Sequence, residues 1–443
     1  MLAAPQTGQP RPGPTKVVRC TTEYTVEQLY RTLRLCLRYM ADGSEIFNRV
    51  INGLGNIYFI PMLSHLSKAE LHRLIPMLSQ KLKCLRLQVS DIPKLQAICR
   101  QLDVHLVNTR YCALLTERDS KNTEVKHIEL LGEVLPNLEI LHVSCPIQGH
   151  FPVLGKVHTL HLNNVSQATL ADLLQKCPQL EHLELRNSTC VYDVQKIGLC
   201  KLIKDLQLPL EITAPLAIAH LTNLRHLSLQ CKRLWPESAW LPTVLTIILA
   251  KRFALERLTI DGTWLVGPLI LSKLQLTHCT ALKELSLSNC KVIDSGRNPL
   301  PLICQQLSFR KCHLNMLHGF VVTQQMLSHL NLFDCQVQWN GHLLRHLLDL
   351  SKRRLGPPPL HLHFSQSTRL RSEYTKWVTE ELEASKPWLQ VKEVEPATWK
   401  HPLGMITMEF GRPINFLPNL QRPLESIPVA ADLLKDFDSY LKD

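Results

Sequence analysis

The sequence predicts an α/β solenoid, in which short parallel strands form one curved sheet and helices cover its outer side. Two observations predict this fold class. A Leu-x-x-Leu-x-Leu pattern recurs along most of the 443 residues, and stretches with helical spacing of leucine separate its copies. Hydrophobic residues make up 45% of the chain but aromatic residues only 6%, so leucine must fill the core, as it does in many repeat proteins.

Each copy of the pattern predicts one strand. Its central leucine falls at positions 141, 160, 183, 206, 227, 258, 285, 307 and 330, in steps of 19, 23, 23, 21, 31, 27, 22 and 23 residues. Units of about 20–29 residues are typical of leucine-rich repeats. In the alternating Leu-x-Leu part, the leucines point to one side of the strand and the intervening residues to the other. The two longest steps predict insertions, the first of them within residues 235–245.

The remaining elements follow from weaker patterns. Before position 141, one copy has Leu82, Leu85 and Leu87, and a poorer one has Val125, Ile128 and Leu130. Residues 166–177 have the leucine spacing of a helix between two strands. After the last regular copy, residues 360–364 and 389–394 predict strands and residues 372–386 predict a helix.

Cysteine or a small polar residue follows most of the predicted strands. These residues are Cys145, Asn164, Asn187, Cys231, Asn289, Cys290, Cys312 and Cys335. Since the chain turns there from strand to helix, we expect their side chains to fill the turn and satisfy its backbone groups. The 15 cysteines include no Cys-x-x-Cys pair and no Cys/His set with zinc-site spacing, so no metal is predicted. Free thiols indicate a reducing compartment, hence a cytoplasmic or nuclear location.

Two repeat junctions have a more specific signature. Residues 177–185 (CPQLEHLEL) and 282–290 (LKELSLSNC) resemble the unit junction of the cysteine-containing leucine-rich repeats. That subfamily is similar to the substrate-receptor half of F-box proteins, and the resemblance covers residues 82–364. It implies a substrate-recognition subunit of an F-box-type (SCF) ubiquitin ligase, which docks a linker protein through its N-terminal helical region.

The N-terminal region is predicted to be helical. Residues 45–54 (EIFNRVINGL) are loosely similar to the first helix of an F-box. The later part lacks the Asp-Leu step and the Val-Cys-x-x-Trp ending of that motif, so a degenerate F-box and a helical cap over the first repeat both stay open. The predicted organisation is a flexible N-terminus (1–22), a helical cap or F-box-like region (23–80), the solenoid (81–394) and a C-terminal tail (395–443) that packs along the solenoid or over its strand face.

Motifs of catalysis and cofactor binding are missing from the sequence. It has no Gly-rich phosphate loop, no Gly-x-Ser-x-Gly elbow and no His-Glu-x-x-His helix, so we predict no enzyme, no catalytic residue and no cofactor. His361 and His363 would share one strand face, but two ligands are too few for a metal site. No apolar run of about 18 residues predicts a membrane span. The net charge of +12 leaves nucleic-acid binding as the weaker alternative, because the basic residues are scattered.

The predicted binding surface is the strand face opposite the leucines. Concave faces of solenoids are frequent recognition surfaces, so we expect a protein partner there. The candidate protein-binding residues are His182, Arg186, His226, Arg257, Glu284, Arg310, His329 and Phe333. Arg257, Arg310 and Phe333 rank first, because arginine and aromatic residues dominate binding hot spots. The alternative to a ligase receptor is a ligase-independent scaffold or inhibitor that uses the same face.

Overall fold

The computed structural model is an α/β leucine-rich-repeat solenoid, as the sequence predicts. It describes residues 67–79, 82–115, 128–144, 150–186, 190–231, 233–293, 300–315, 324, 326–338, 343–353, 359–365, 372–376, 389–394 and 405–410. Within these residues one long sheet of fourteen strands runs through the fold, beside a four-stranded and a two-stranded sheet.

The strands are short, and each repeat contributes one of them to the long sheet. Numbered along the chain, they are Cys84–Gln88 (β1), Tyr111–Leu115 (β2), Ile140–Val143 (β3), Thr159–Asn163 (β4), His182–Arg186 (β5), Tyr192–Asp193 (β6), Asp205–Pro209 (β7), Ile212–Thr213 (β8), His226–Gln230 (β9), Arg257–Asp261 (β10), Leu269–Ile270 (β11), Glu284–Ser288 (β12), Lys291–Ile293 (β13), Gln306–Arg310 (β14), His313–Asn315 (β15), His329–Phe333 (β16), Gln336–Gln338 (β17), Leu360–Ser365 (β18), Leu389–Val394 (β19) and Met405–Phe410 (β20). The long sheet has the order β1-β2-β3-β4-β5-β7-β9-β10-β12-β14-β16-β18-β20-β19, and its pairings up to β18 are parallel.

Helices lie between the strands. The α-helices are Lys68–Ser79 (α1), Ile92–Leu102 (α2), Leu131–Val134 (α3), Gln167–Lys176 (α4), Val194–Ile197 (α5), Glu237–Lys251 (α6) and Leu343–Arg353 (α7). Short 3₁₀-helices are Val89–Asp91, Ile128–Leu130, Pro215–His220, Leu271–Leu274 and Leu276–His278. Helix α4 confirms the helix predicted between strands, and α6 fills the first predicted insertion. Residues 372–376 are helical, and the rest of the helix predicted there lies outside the described residues.

The second strand of the long sheet lies where the pattern predicted none. Strand β2 pairs with β1 and β3, whereas the poorer copy predicted further on is wrong, because Ile128–Leu130 is a 3₁₀-helix. In β2, Cys112 takes the place of the central leucine, and Thr109 takes the place of the first. The buried Thr109 hydroxyl donates to the Leu82 carbonyl oxygen at 2.9 Å, so a polar side chain fills this core position without losing its hydrogen bond.

Alternation along each strand separates the core from the opposite face. In β5, Leu183 and Leu185 are 2% and 0% exposed, while Glu184 between them lies on the other side of the sheet. The same burial pattern recurs in β4, β9, β12 and β16. Each fully buried leucine contributes roughly 1.5–3 kcal/mol to the free energy of folding. Because this core runs along the solenoid, the stacked repeats stabilise one another.

Buried cysteines fill the turns after three neighbouring strands. The residue that follows β12, β14 and β16 is left-handed, with φ between 51° and 54°. Next come Cys290, Cys312 and Cys335, and each thiol lies 2.9 to 3.3 Å from the carbonyl oxygen two residues earlier. The sulfurs of Cys312 and Cys335 also lie 3.3 and 3.2 Å from a carbonyl oxygen of the preceding strand. The predicted role of these cysteines in the turns is therefore confirmed.

Helix α1 closes the N-terminal end of the described core. The Ser67 backbone N–H donates to Glu70 Oε2 at 2.8 Å, and the Glu70 N–H donates to Ser67 Oγ at 3.3 Å, which is a reciprocal capping box. Leu71, Leu74 and Leu78 are fully buried with the first repeats. Residues 67–79 therefore form a helix that packs with the first repeats. The predicted flexible N-terminus and the other residues of the F-box-like region lie outside the described residues.

The parallel arrangement of strands ends after β18. Strands β18 and β19 confirm the two strands predicted in this part of the chain. The prediction that Leu389–Val394 is the last strand is wrong, because β20 lies between β18 and β19 and pairs antiparallel with both. Met408 and Phe410 of β20 are buried in the core. The sheet thus continues past residue 394, where the predicted tail begins; the other tail residues lie outside the described residues.

Candidate functional site

The strand residues that alternate with the core leucines form one continuous surface, which we term the open face. Parallel register aligns them in three rows. The first row is Thr159, His182, Asp205, His226, Arg257, Glu284, Gln306, His329 and His361; the middle row is His142, His161, Glu184, Gln207, Ser228, Thr259, Ser286, Ser308, Asn331 and His363; the third row is Asn163, Arg186, Pro209, Gln230, Asp261, Ser288, Arg310, Phe333 and Ser365. These residues lie on the strand face opposite the leucines, as the alternation in the sequence predicts.

The open face is accessible along most of its length. From His161 in β4 to Asn331 in β16, the middle-row side chains are partly exposed. The helices lie on the leucine side, as α4 illustrates: Leu170 and Leu173 are fully buried in the same core as the strand leucines. The described helices therefore leave the open face uncovered.

Glu184 in β5 is the centre of the first charge cluster on the open face. It accepts hydrogen bonds from His161 Nδ1 at 2.6 Å and from Arg186 Nε at 2.5 Å, and its side chain is 12% exposed. Burial raises the pKa of this carboxyl, but the His161 hydrogen bond and the Arg186 charge outweigh burial and lower the pKa to about 2. Glu184 is therefore ionised at neutral pH and orients both neighbours.

Asp205 in β7 connects two of the predicted binding residues. Its carboxylate contacts Nδ1 of His182 on one side and Nδ1 of His226 on the other. Burial raises the pKa of Asp205, but the hydrogen bonds from the two imidazoles outweigh burial, and the pKa lies well below its usual range. The structure thus brings His182 and His226 together around a carboxylate that was not among the predicted binding residues.

Arg257 and Glu284, also predicted binding residues, neutralise each other. They face each other across β10 and β12 and form an ion pair. Similar pairs join neighbouring repeats along the edge where the strands begin: Arg110–Glu139 at 2.9 Å, Lys204–Glu181 at 2.8 Å and Lys283–Glu256 at 2.8 Å. Because these edge side chains are well exposed, each pair stabilises the fold only slightly. Their main effect is to cancel charge between β2 and β12.

Arg310 and Phe333 have a different environment. They are neighbours in the third row, at the ends of β14 and β16. Arg310 is exposed and forms no ion pair with the described residues. Beside them, the Ser308 hydroxyl oxygen accepts hydrogen bonds from Asn331 Nδ2 at 2.7 Å and Gln306 Nε2 at 3.4 Å, which leaves its own hydrogen to donate outwards. This part of the open face presents a cation, an aromatic ring and a hydroxyl donor.

Stacked histidines fill the C-terminal part of the open face. The ring centroids of His329 and His361 are 4.9 Å apart, and His363 lies 6.2 Å from His329. Burial lowers the pKa of all three imidazoles, and for His363 the neighbouring histidines lower it further, to about 4. His363 Nδ1 also lies 3.0 Å from Thr407 Oγ1. The predicted binding residue His329 therefore belongs to a neutral stack that joins the last parallel strands to β20.

Metal-binding clusters and membrane-crossing helices are absent from the part of the chain that the structure describes. No three His, Cys, Asp or Glu side chains there are arranged to hold a metal ion. Burial raises the pKa of Cys177 and Cys304 to about 12, so both remain thiols at neutral pH. None of the described helices has the length and apolar character that a membrane crossing requires.

The chain matches no known family model and no curated protein. Several solved structures are similar in fold. An internalin C2 from Listeria monocytogenes is 16% identical, with a TM-score of 0.26 over 57% of this chain and 84% of that chain. An internalin from the same organism is 15% identical, with a TM-score of 0.34 over 60% of this chain and 79% of that chain. The LRR ectodomain of the receptor kinase GASSHO1/SCHENGEN3 from Arabidopsis thaliana is 13% identical, with a TM-score of 0.28 over 61% of this chain and 34% of that chain. At such identities the likeness is one of fold alone.

Proposed function

We propose that this protein is a non-catalytic recognition module that binds a partner protein on the open face. The observation that carries the proposal is the run of three mostly polar rows from β4 to β16, of which the middle row is partly exposed throughout. A rigid sheet presents these side chains in fixed positions, which lowers the conformational entropy lost on binding. The surface mixes hydrogen-bonding groups, paired charges and a few cationic and aromatic side chains, as protein interfaces do.

Site-specific crosslinking in cells tests this proposal. A photoreactive phenylalanine analogue is placed at Gln207 or Ser286 in the middle row of the full chain, and at Leu216 or Leu249 on the helix side as controls. All four positions are partly or well exposed, so each accepts the analogue without a core defect. We expect both middle-row positions to crosslink to the same protein and the controls not to do so. Adducts from the control positions alone would refute the proposal.

The finer version of the proposal is a substrate receptor of an F-box-type ubiquitin ligase. It is supported by the sequence resemblance in residues 45–54 and in the repeat junctions. A chain that begins at Ser67 tests it better than a longer truncation, because it keeps helix α1, whose Leu71, Leu74 and Leu78 fill the end of the core. Under the ligase proposal, the full chain co-purifies with linker and cullin subunits and the shortened chain does not. If neither chain recovers them, a ligase-independent scaffold or inhibitor remains.

A further inference from the structure

The charge balance of the solenoid changes at the ends of β12 and β14. Lys291, Arg310 and Lys311 are exposed there and form no ion pair with any described residue. We term these three residues the basic corner. The contrast with the preceding repeats is clear, since Arg186 and Arg257 each pair with a carboxylate on the open face. Within the described residues these three cations are therefore unpaired, whereas the open-face arginines of the earlier repeats are paired.

Register holds the basic corner together across two neighbouring repeats. Arg310 pairs with Ser288 across β14 and β12, and the Asn289 backbone N–H donates to the Arg310 carbonyl oxygen at 2.9 Å. Lys311 follows in the left-handed conformation, with φ 51°. Lys291 begins β13, three residues after Ser288. Since neighbouring strands lie about 4.8 Å apart, flexible lysine side chains from adjacent repeats reach one bound group.

The other charged groups at this end of the strands are partly engaged. The Asp261 carboxylate accepts hydrogen bonds from Asn289 Nδ2 at 3.0 Å and from the Thr263 hydroxyl at 2.6 Å. The Asp334 carboxylate accepts one from the Ser365 hydroxyl at 3.3 Å. His313 is exposed beside Lys291 in the second sheet. Among the described residues the three cations of the basic corner outnumber these two carboxylates, and oriented polar groups surround them.

We propose that the basic corner, together with Phe333 and the Ser308 hydroxyl, binds a segment of the partner protein that carries Asp or Glu next to an apolar residue. The inference rests on the proposed function and specifies the partner's chemistry at one end of the open face. The planar Arg310 guanidinium binds a carboxylate through two parallel hydrogen bonds, and the lysines attract further acidic residues. Phe333 supplies apolar contact beside the charges.

A synthetic probe tests the inference directly. The probe is a fluorescently labelled peptide in which Asp and Glu flank a single Phe; the comparison peptide has Asn and Gln at the acidic positions. Binding to the full chain is measured by fluorescence anisotropy. We expect only the acidic peptide to bind, and we expect the double variant R310Q/K311N to weaken it by about tenfold or more. Asparagine suits position 311, because Asn289 adopts the same left-handed conformation one repeat earlier.

The matched control is the double variant K196Q/K201Q. Lys196 and Lys201 are exposed and lie in the segment that precedes β7, so this variant removes the same charge far from the basic corner. Equal weakening by both double variants would show a general effect of net charge and overturn the inference. Circular dichroism melting of both variants verifies that each is folded.

Two further outcomes separate this inference from the proposed function and from nucleic-acid binding. If the acidic peptide does not bind while Gln207 and Ser286 still crosslink to a common protein, the inference is wrong and the proposed function stands. A labelled poly-dT oligonucleotide is measured in parallel. If it binds more tightly than the acidic peptide and loses affinity in R310Q/K311N, the basic corner is a nucleic-acid contact and the inference is overturned.

Discussion

Replacing Glu184 with Gln should destabilise the protein at neutral pH, and the destabilisation should fade in acid. The Glu184 carboxyl lies between His161 and Arg186, and its pKa is lowered from 4.5 to about 2 in the folded state. One pKa unit corresponds to about 1.4 kcal/mol, so the ionised form stabilises the fold by roughly 3 kcal/mol over the protonated form. We expect E184Q to lose about 1–3 kcal/mol at neutral pH, since the amide oxygen still accepts a hydrogen bond.

The sign of the pH dependence follows from the lowered pKa. The stabilisation is complete above the unfolded-state pKa of Glu and disappears as the pH falls through the folded-state pKa. At about pH 3, roughly 2 of the 3 kcal/mol should be gone. Urea unfolding of the wild type and E184Q, followed by circular dichroism at both pH values, measures the difference and cancels the effects of other groups. The control is E181Q at the exposed edge, for which we expect little change. A difference between wild type and E184Q that is the same at both pH values would refute the reasoning.

Three further predictions concern single contacts. T109V leaves the Leu82 carbonyl oxygen without its buried donor and should cost about 1–3 kcal/mol in urea unfolding, whereas T109S should cost less. G262A places a methyl group 2.4 Å from the Cys290 sulfur and should cost about 1–3 kcal/mol, and C290A in the same chain should recover part of the loss. H363Q should flatten the loss of thermal stability between about pH 6.5 and pH 4. The pKa of His363 is lowered to about 4 in the folded state, so over this pH range protonation favours the unfolded chain. An unchanged slope of melting temperature against pH would contradict this prediction.

The strand positions could be predicted from sequence because the repeat constrains them so strongly. Leucine at most core positions buries apolar area in each unit, and alternation leaves only one choice of face. The prediction failed at β2, where Cys112 and Thr109 stand at leucine positions. Both side chains are smaller than leucine. Thr109 occupies its buried position while its hydroxyl donates a hydrogen bond to the Leu82 carbonyl oxygen in the neighbouring repeat. A contact between repeats has no signature within a single copy of the motif.

The repeat pattern also did not predict how the sheet ends. The repeat rule requires each new strand to add in parallel to the one before it. Strand β20 instead enters between β18 and β19 and runs antiparallel to both. Its alternating residues Ile406, Met408 and Phe410 have the period of a half-buried strand, so the segment itself could have been recognised. Its place in the sheet depends on long-range pairing, which no local pattern determines.

Residue type alone does not tell which arginine of a repeat surface is already paired, as the two arginines ranked first show. Arg257 and Arg310 both lie on strands of the long sheet, and both side chains are exposed. Arg257 meets Glu284 in the next repeat, so a partner that uses it must first break an existing ion pair. Arg310 meets Phe333 instead and keeps its charge for an incoming carboxylate. The register brings each residue opposite one defined neighbour in the next repeat. The identity of that neighbour, about one repeat length away in the sequence, therefore determines whether an arginine is paired or can bind an incoming carboxylate.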